Sequence, residues 1–287
     1  MGLIAVTGAS GNVGSRIIGR LAAAGHRVRA ISRNPGAQPE GVEVAPADLT
    51  DLAQAIDVLD GADSAYLNLP YWGEDPLGME TAVGTNLIDA AAKTGVSNVV
   101  MHTALHADRG DTGARILDNK TALEEALAGS GVGHTILRPA WFLQNLWGAR
   151  DYLTQGVVSL PWAGDMVWAA TDVEDIVTAA VAFLTTEPAN RGFDLHISGG
   201  ISGDGIAAAA GRVLGREVAY MEAQVSTRDY VEGFPIGDVH KDIYAELFDY
   251  FRSTTYLGEP GAVTEAVEGL SYRGVEDFLR DELFAGE

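Results

Sequence analysis

Through the first half of the chain, short apolar runs alternate with segments in which apolar residues recur every three to four positions. The short runs, near residues 3–6, 27–31, 42–45, 64–69, 98–102 and 134–137, predict strands; the periodic segments near 13–24, 52–59, 78–94 and 114–128 predict helices. Strands that read as continuous apolar runs, each followed by a helix, are the pattern of a parallel sheet covered on both faces. After Ala140 the spacing loosens and aromatic residues crowd together, with Trp141, Phe142, Trp147, Tyr152, Trp162 and Trp168 in a short span. The acid-rich cap at residues 171–175 opens a helix running to Leu184, residues 193–198 predict a strand, and 202–214, 241–251 and 275–283 predict helices. The expected fold is α/β: a Rossmann-like, doubly wound parallel sheet over residues 1–150 and a small α/β C-terminal substrate lobe over 151–287, with the segment near 170–198 returning to the sheet.

Ligands of such sheets bind beyond the carboxyl ends of the strands, which makes the residues just after each strand the ones to read. The first such end is Thr7-Gly8-Ala9-Ser10-Gly11-Asn12-Val13-Gly14, between an apolar strand and a helix. This strand, glycine turn and helix N-terminus form the arrangement that holds a dinucleotide diphosphate. Gly8 allows the sharp turn, Gly11 lets the backbone approach phosphate, and Gly14 lets the helix pack close to the strand, while Ser10 and Asn12 add side-chain donors. The second strand ends in Ser32-Arg33-Asn34, where an NAD-selective site carries an acid for the ribose hydroxyl. A guanidinium there grips a 2′-phosphate with parallel hydrogen bonds, so NADP is the expected cofactor. The remaining strand ends, Asp48-Leu49, Asn68-Leu69-Pro70, His102-Thr103 and Arg138-Pro139-Ala140, reach toward the same crevice.

Charge sharpens this picture. The 287 residues carry 19 basic and 40 acidic side chains, a formal net charge of −21, which opposes binding to nucleic acid or an anionic membrane. Yet Arg16, Arg20, Arg27, Arg29 and Arg33 all precede the first acid, Glu40, predicting a local positive field where a phosphate-rich cofactor docks. There is no cysteine, so disulfides, thiolate metal sites and cysteine nucleophiles are excluded, and no histidine–carboxylate cluster predicts a metal. The chain enters its first strand without a basic leader and has no apolar stretch of spanning length; a cytoplasmic enzyme or binding protein is expected.

Only three lysines occur, Lys93, Lys120 and Lys241, and Lys120 falls on the apolar helix stripe Ile116, Leu123, Leu127. An ammonium on an inward face must snorkel to water or find a polar partner. Beside a cofactor crevice, a ribose hydroxyl or a substrate oxygen is the attractive partner. On that reading Lys120→Ala removes turnover, and a well-packed Lys120→Met leaves the fold intact or firmer.

The opening TGASGNVG, Ser32-Arg33-Asn34-Pro35, Asn119-Lys120-Thr121 with Glu124-Glu125-Ala126-Leu127, Leu137-Arg138-Pro139-Ala140-Trp141-Phe142 and Asp172-Val173-Glu174-Asp175-Ile176 together resemble the NmrA-like branch of the atypical short-chain dehydrogenases/reductases. The resemblance covers most of the chain and weakens after about Tyr220. It implies an NADP-binding Rossmann domain with a small lobe enclosing a substrate cleft. Members include NADPH-dependent quinone reductases, triphenylmethane-dye reductases and the isoflavone and phenylcoumaran ether reductases, together with regulators that bind dinucleotide without evident turnover. Ordinary short-chain dehydrogenases use a YxxxK pair, but here the position four before Lys120 is Ile116.

A quinone or other flat conjugated acceptor makes fewer demands on a protein acid than a ketone, because the reduced anion is delocalised and collects its proton from water. The expected activity is therefore NADPH-dependent hydride transfer to such an acceptor, with a dinucleotide-sensing regulator as the alternative. The catalytic candidates are Lys120, Thr103 and His102, with His106 secondary. The expected cofactor contacts are Thr7, Gly8, Ser10, Gly11, Asn12, Val13, Gly14, Arg33, Asp48, Asn68, Leu69, Pro70, Thr103, Lys120 and Pro139. Tyr71 and Trp72, placed to cover the nicotinamide or the acceptor, and Trp141 and Phe142 are expected to wall the substrate pocket. The expected partners are a small-molecule substrate and a second copy of the chain or another protein.

Overall fold

The computed structural model describes residues 2–285. Six parallel strands alternate with helices in the first half: β1 (Leu3–Thr7), α1 (Asn12–Ala23), β2 (Arg27–Ser32), β3 (Glu43–Pro46), α2 (Leu52–Leu59), β4 (Ser64–Leu67), α3 (Pro76–Thr94), β5 (Asn98–His102), α4 (Arg115–Gly129) and β6 (His134–Pro139). A seventh parallel strand, Arg191–Leu195, joins beyond β6, and the order across the sheet is that strand, β6, β5, β4, β1, β2, β3. The chain winds outward from β1 through β2 to β3, then crosses back to β4 on the other side of β1. The strand order thus reverses between β1 and β4, and their carboxyl ends open the switch-point crevice of a doubly wound sheet.

The helices form because their apolar residues share one face. In α1, Val13, Ile17, Ile18 and Leu21 are buried against the sheet; burying each such side chain contributes about 1.5–3 kcal/mol. With helix Val173–Leu184, α1 covers one face of the sheet, and α2, α3 and α4 cover the other. The expected helix of residues 78–94 begins earlier, at Pro76, because the Asp75 side chain accepts from Gly78 N at 3.0 Å and caps it. The strand expected to run to Leu69 stops at Leu67: Thr7 Oγ1 accepts from Asn68 N at 2.8 Å and turns the chain there.

A separate apolar core is built around Trp162 and Trp168, whose rings meet edge to face at 5.1 Å, with Phe248, Phe251 and Phe278. Trp141 adds an edge contact to Trp168, while Trp147 and Tyr152, from the same aromatic-rich stretch, are exposed. The helix Asp238–Ser253 runs from this core onto α4, where Ile243 packs with Ala114, Ile116 and Leu117.

At the N-terminus of helix Val173–Leu184 the fully buried Asp172 caps the backbone at Glu174 N, 2.9 Å away, and meets Arg273 at 3.1 Å. Burial pushes its neighbour Asp175 up to about 7 from an ordinary 3.8. Because the folded-state value is the higher one, Asp175 supports folding fully below about pH 4, and this support is lost as pH rises toward 7. Asp175→Asn should therefore gain stability relative to the parent between pH 5 and pH 8, by about 2–3 kcal/mol. Thermal melting of both proteins at the two pH values checks this; an unchanged gap would mean that Arg273 already compensates the charge.

Candidate active site

The glycine turn lies at the switch point. Gly8 adopts φ +69°, the left-handed region that favours glycine, and a Cβ there would overlap the Asn68 amide. A Cβ on Gly14 would overlap the Gly8 carbonyl, so α1 docks onto β1 at a distance only glycine permits. Gly11 N donates to Gly8 O at 2.9 Å, closing the turn, and Gly11 stands at the N-cap of α1 with no side chain on the helix end and no acid in its first turn. The first N–H groups of α1 and its positive end are thereby left for an anion. Thr7 is fully buried and donates to Tyr66 O and Asn68 O, at 3.2 and 3.1 Å. It therefore acts by shaping the Asn68 turn, not by touching a ligand. The Val13 side chain faces the core, so only its backbone is available to a ligand.

A cavity of about 260 Å³ opens from this turn, lined by Gly8, Ser10, Gly11, Ser32, Arg33, Asn34, Asp48, Asn68, Pro70 and Trp72 among others. The Arg33 guanidinium lies over the Trp72 ring, 3.8 Å from its centre, so the structure moves Trp72 from the acceptor end to the Arg33 end of the crevice. Ser32 Oγ is buried beside Arg33 with no partner among the described residues. The hydrogen bonds of Thr50, aided by Arg33, hold Asp48 below the usual carboxylate range. An orphaned hydroxyl, a guanidinium and an uncapped helix end together fit a phosphate-bearing dinucleotide. A larger groove of about 410 Å³, lined by Glu174, Asp175, Asp277 and Asp281 with Arg273, has the wrong charge for that ligand.

The broad positive field expected from the early arginines is corrected by their pairing. Arg16 meets Glu174 at 2.6 Å and Glu282 at 2.8 Å, Arg20 meets Glu174 at 2.5 Å, and Arg29 meets Glu43 at 2.7 Å. Acids distant in sequence neutralise them, and Arg33 is the arginine that lines the cavity.

Lys120 is not among the residues lining this cavity; its hydrogen-bond acceptor among the described residues is Oε1 of Glu80, which follows the cavity-lining Met79 on α3. Glu80 is 1 % exposed, and its second oxygen accepts from Asn119 Nδ2 at 2.8 Å; Asn119 Oδ1 in turn accepts from Thr81 at 2.7 Å. The sequence reading missed Glu80, although it was findable: it shares the inward stripe of α3 with Val83, Leu87, Ile88 and Ala91, as Lys120 shares that of α4. Gly84 brings the two helices together, since a Cβ there would collide with Leu123. Ile116 is 9 % exposed and packs against Ile243, so hydrocarbon fills the place of the usual tyrosine.

The other catalytic candidates are engaged. Thr103 donates to Glu124 Oε1 at 2.5 Å, and Glu124 is forked by Arg138 at 2.7 and 3.1 Å, so this hydroxyl ties α4 to the end of β5 as Arg138 ties it to β6. His102 Nδ1 is hydrogen-bonded to the Tyr66 hydroxyl. Burial, with the Lys120 charge second, pushes His102 down to about 3, while burial raises Tyr66. The phenol therefore donates, the imidazole is neutral with its proton on Nε2, and no imidazolium stands ready as an acid at neutral pH. His106 uses both ring nitrogens, with Tyr250 Oη at 2.9 Å and Leu257 O at 3.0 Å.

Tyr71 lies edge-on to His240 and Tyr244 of helix Asp238–Ser253, its hydroxyl buried without a partner among the described residues. The Leu69 side chain packs into the core on the α2–α4 side of the sheet. The carbonyl of Pro139 accepts from Leu105 N at 2.9 Å. Trp141 and Phe142 are half-buried on a two-residue strand paired with Ala170–Thr171.

The NmrA-like family profile matches residues 1–279. The chain is 33% identical over 230 residues to a (4-alkanoyl-5-oxo-2,5-dihydrofuran-3-yl)methyl phosphate reductase of Streptomyces griseus, covering 78% of each chain. It is 30% identical over 203 residues to quinone oxidoreductase 2 of Escherichia coli, covering 69% of this chain and 68% of that one. The fold is shared by the Citrobacter sp. triphenylmethane reductase complexed with NADP(H), at a TM-score of 0.82 and 19% identity over 97% of this chain and 99% of that one. A profile match over almost the whole length, joined to the glycine turn at the switch point, settles the membership: the chain belongs to the NmrA-like family.

Proposed function

We propose that the protein is an NADPH-dependent reductase of a quinone or another flat, conjugated carbonyl acceptor. The observation that carries this reading is a dinucleotide crevice, lined on α3 by Met79 and Val83 on either side of the Glu80 that pairs with Lys120, together with hydrocarbon, Ile116, where a carbonyl reductase keeps its tyrosine. The names of the two sequence relatives agree with it: one is a quinone oxidoreductase, the other a reductase of an alkanoyl-substituted dihydrofuranone. NADPH, when bound, supplies the hydride.

The chain's own residues supply the rest. The N–H groups of the Gly8–Gly14 turn and α1 hold the diphosphate, and Arg33 with Ser32 takes the 2′-phosphate. Lys120 binds the ribose or supports negative charge as it gathers on the acceptor oxygen. Ile116 takes the place of the tyrosine acid that a simple ketone needs, because an unactivated alkoxide must be protonated as it forms. Loss of reduced-nicotinamide absorbance across a panel of quinones, enones and aliphatic ketones tests this. Turnover is expected with the conjugated acceptors and little with the ketones. Robust ketone reduction would overturn the mechanism, and tight NADPH binding without any turnover would select the sensing alternative.

Cofactor choice is separable from the acceptor. Arg33→Asp should weaken NADPH binding by about 2–3 kcal/mol, the scale of a charge-assisted hydrogen bond pair, with little loss for NADH. Fluorescence titration measures both, and equal affinities of the parent for the two cofactors would sink the assignment. Trp72→Ala, which removes the face beneath Arg33, should also act on NADPH affinity and leave the acceptor KM near its parent value.

A further inference from the structure

We propose that Glu80 is a positioning residue of this site: it holds the Lys120 ammonium against α3 so that the remaining N–H donors point to the nicotinamide end of a bound dinucleotide. The inference rests on the reading of Lys120 given above. Three observations carry it. Both oxygens of Glu80 are occupied, one by Lys120 and one by Asn119, so the carboxylate cannot swing without breaking a second bond. The other charged groups near Lys120 are committed elsewhere: Glu124 to Arg138 at 2.7 Å, Glu246 to Arg115 at 2.7 Å, and Asp118 to Thr112 at 2.7 Å. His102 of β5, Tyr71 of the loop before α3 and Tyr244 of helix Asp238–Ser253 complete the surroundings, and none of them brings a negative charge.

The third observation is where the pair stands. Further along, the same two helices meet through Val83, Leu87, Leu123 and Leu127, an apolar contact that holds without ions. Packing alone does not call for a buried ion pair, which is commonly no more stabilising than hydrocarbon of the same volume. Along α3, Glu80 lies between Met79 and Val83, which line the dinucleotide cavity, and a buried carboxylate and ammonium kept beside it are instead the means of fixing a cation in one direction. An ammonium has three N–H donors; Glu80 takes one, and the direction of that bond sets the other two.

The low lysine content makes the test direct. Protein grown with ε-13C-lysine gives three side-chain signals, and Lys120→Arg assigns the one belonging to residue 120. Glu80→Gln should move the Lys120 signal, leave those of Lys93 and Lys241 in place, and alter the change that NADP+ produces in it. In turnover, Glu80→Gln should lower kcat about tenfold or more while the acceptor KM stays within about threefold, and Glu80→Asp should recover part of the loss. A Lys120 signal untouched by Glu80→Gln, or a kcat kept within twofold of the parent, would overturn the proposal. If the parent reduces no acceptor, the reductase reading fails, while the NMR signals with and without NADP+ still decide whether Glu80 directs Lys120. Should Glu80→Gln not fold, Glu80→Asp carries the same NMR comparison.

Discussion

Lys120→Met should destabilise the protein by about 3–5 kcal/mol, the cost of leaving a buried charge without its partner. Read from its stripe, Lys120 is a lone cation among hydrocarbon, and methionine there is expected to keep the fold intact or make it firmer. Glu80 reverses that expectation. At 1 % exposure its carboxyl group is paired with the ammonium, and methionine would leave only the Asn119 amide beside it. Its two remedies are to take up a proton or to draw in water, and both loosen the contact between α3 and α4. Changing both partners, Lys120→Met with Glu80→Leu, should recover most of the loss or exceed it, because packed hydrocarbon replaces two charges together. Denaturant unfolding of the single and double variants measures this, and a single variant as stable as the parent would show that the pair is not formed in solution. Turnover should be lost in both, since neither carries the cation.

Gly14→Ala is the second large effect expected. Its methyl group would overlap the carbonyl of Gly8, which is backbone and cannot swing aside as a side chain would. Either α1 withdraws from β1 or the phosphate turn deforms, at a cost of about 1–3 kcal/mol of overpacking. In both cases the N–H groups lose their aim, so NADPH affinity should fall by about tenfold or more. Gly19, on the same helix, provides the control. None of the described residues comes within 4 Å of a Cβ built there, so Gly19→Ala should leave NADPH binding unchanged and stabilise the helix by up to about 1 kcal/mol. Equal behaviour of the two variants would mean that the close approach at Gly14 carries no weight.

The cofactor half of the site was legible in the sequence for a local reason. Turn, helix start and the residues after β2 are contiguous in the chain, and their chemistry depends on backbone conformation within a few positions: Gly8 needs its positive φ, and Gly14 needs its missing Cβ whatever the lobe does. The far half was not legible in this way. Thr103 reads as a free hydroxyl because Glu124, which accepts its hydrogen bond, is 21 positions away, and His102 reads as an acid because the burial that holds it neutral is a property of the assembled sheet. Trp72 follows Tyr71 directly, yet the two side chains pack on different elements, one on Arg33 and one on helix Asp238–Ser253.

The alternation of strands and helices, the glycine turn, the arginine in place of an acid after β2 and the isoleucine in place of a tyrosine can be read from the residues alone, since each depends on period or on residue type at a fixed spacing. Which charges remain available is a matter of how the elements pack. Arg16, Arg20 and Arg29 are matched by acids that approach from other elements, and Lys120 finds Glu80 across 40 positions because Gly84 lets two helices close on each other. The physical reason is that a charge in a folded protein is governed by burial and by neighbours within a few ångströms, and both are set by how the helices pack rather than by the order of residues along the chain.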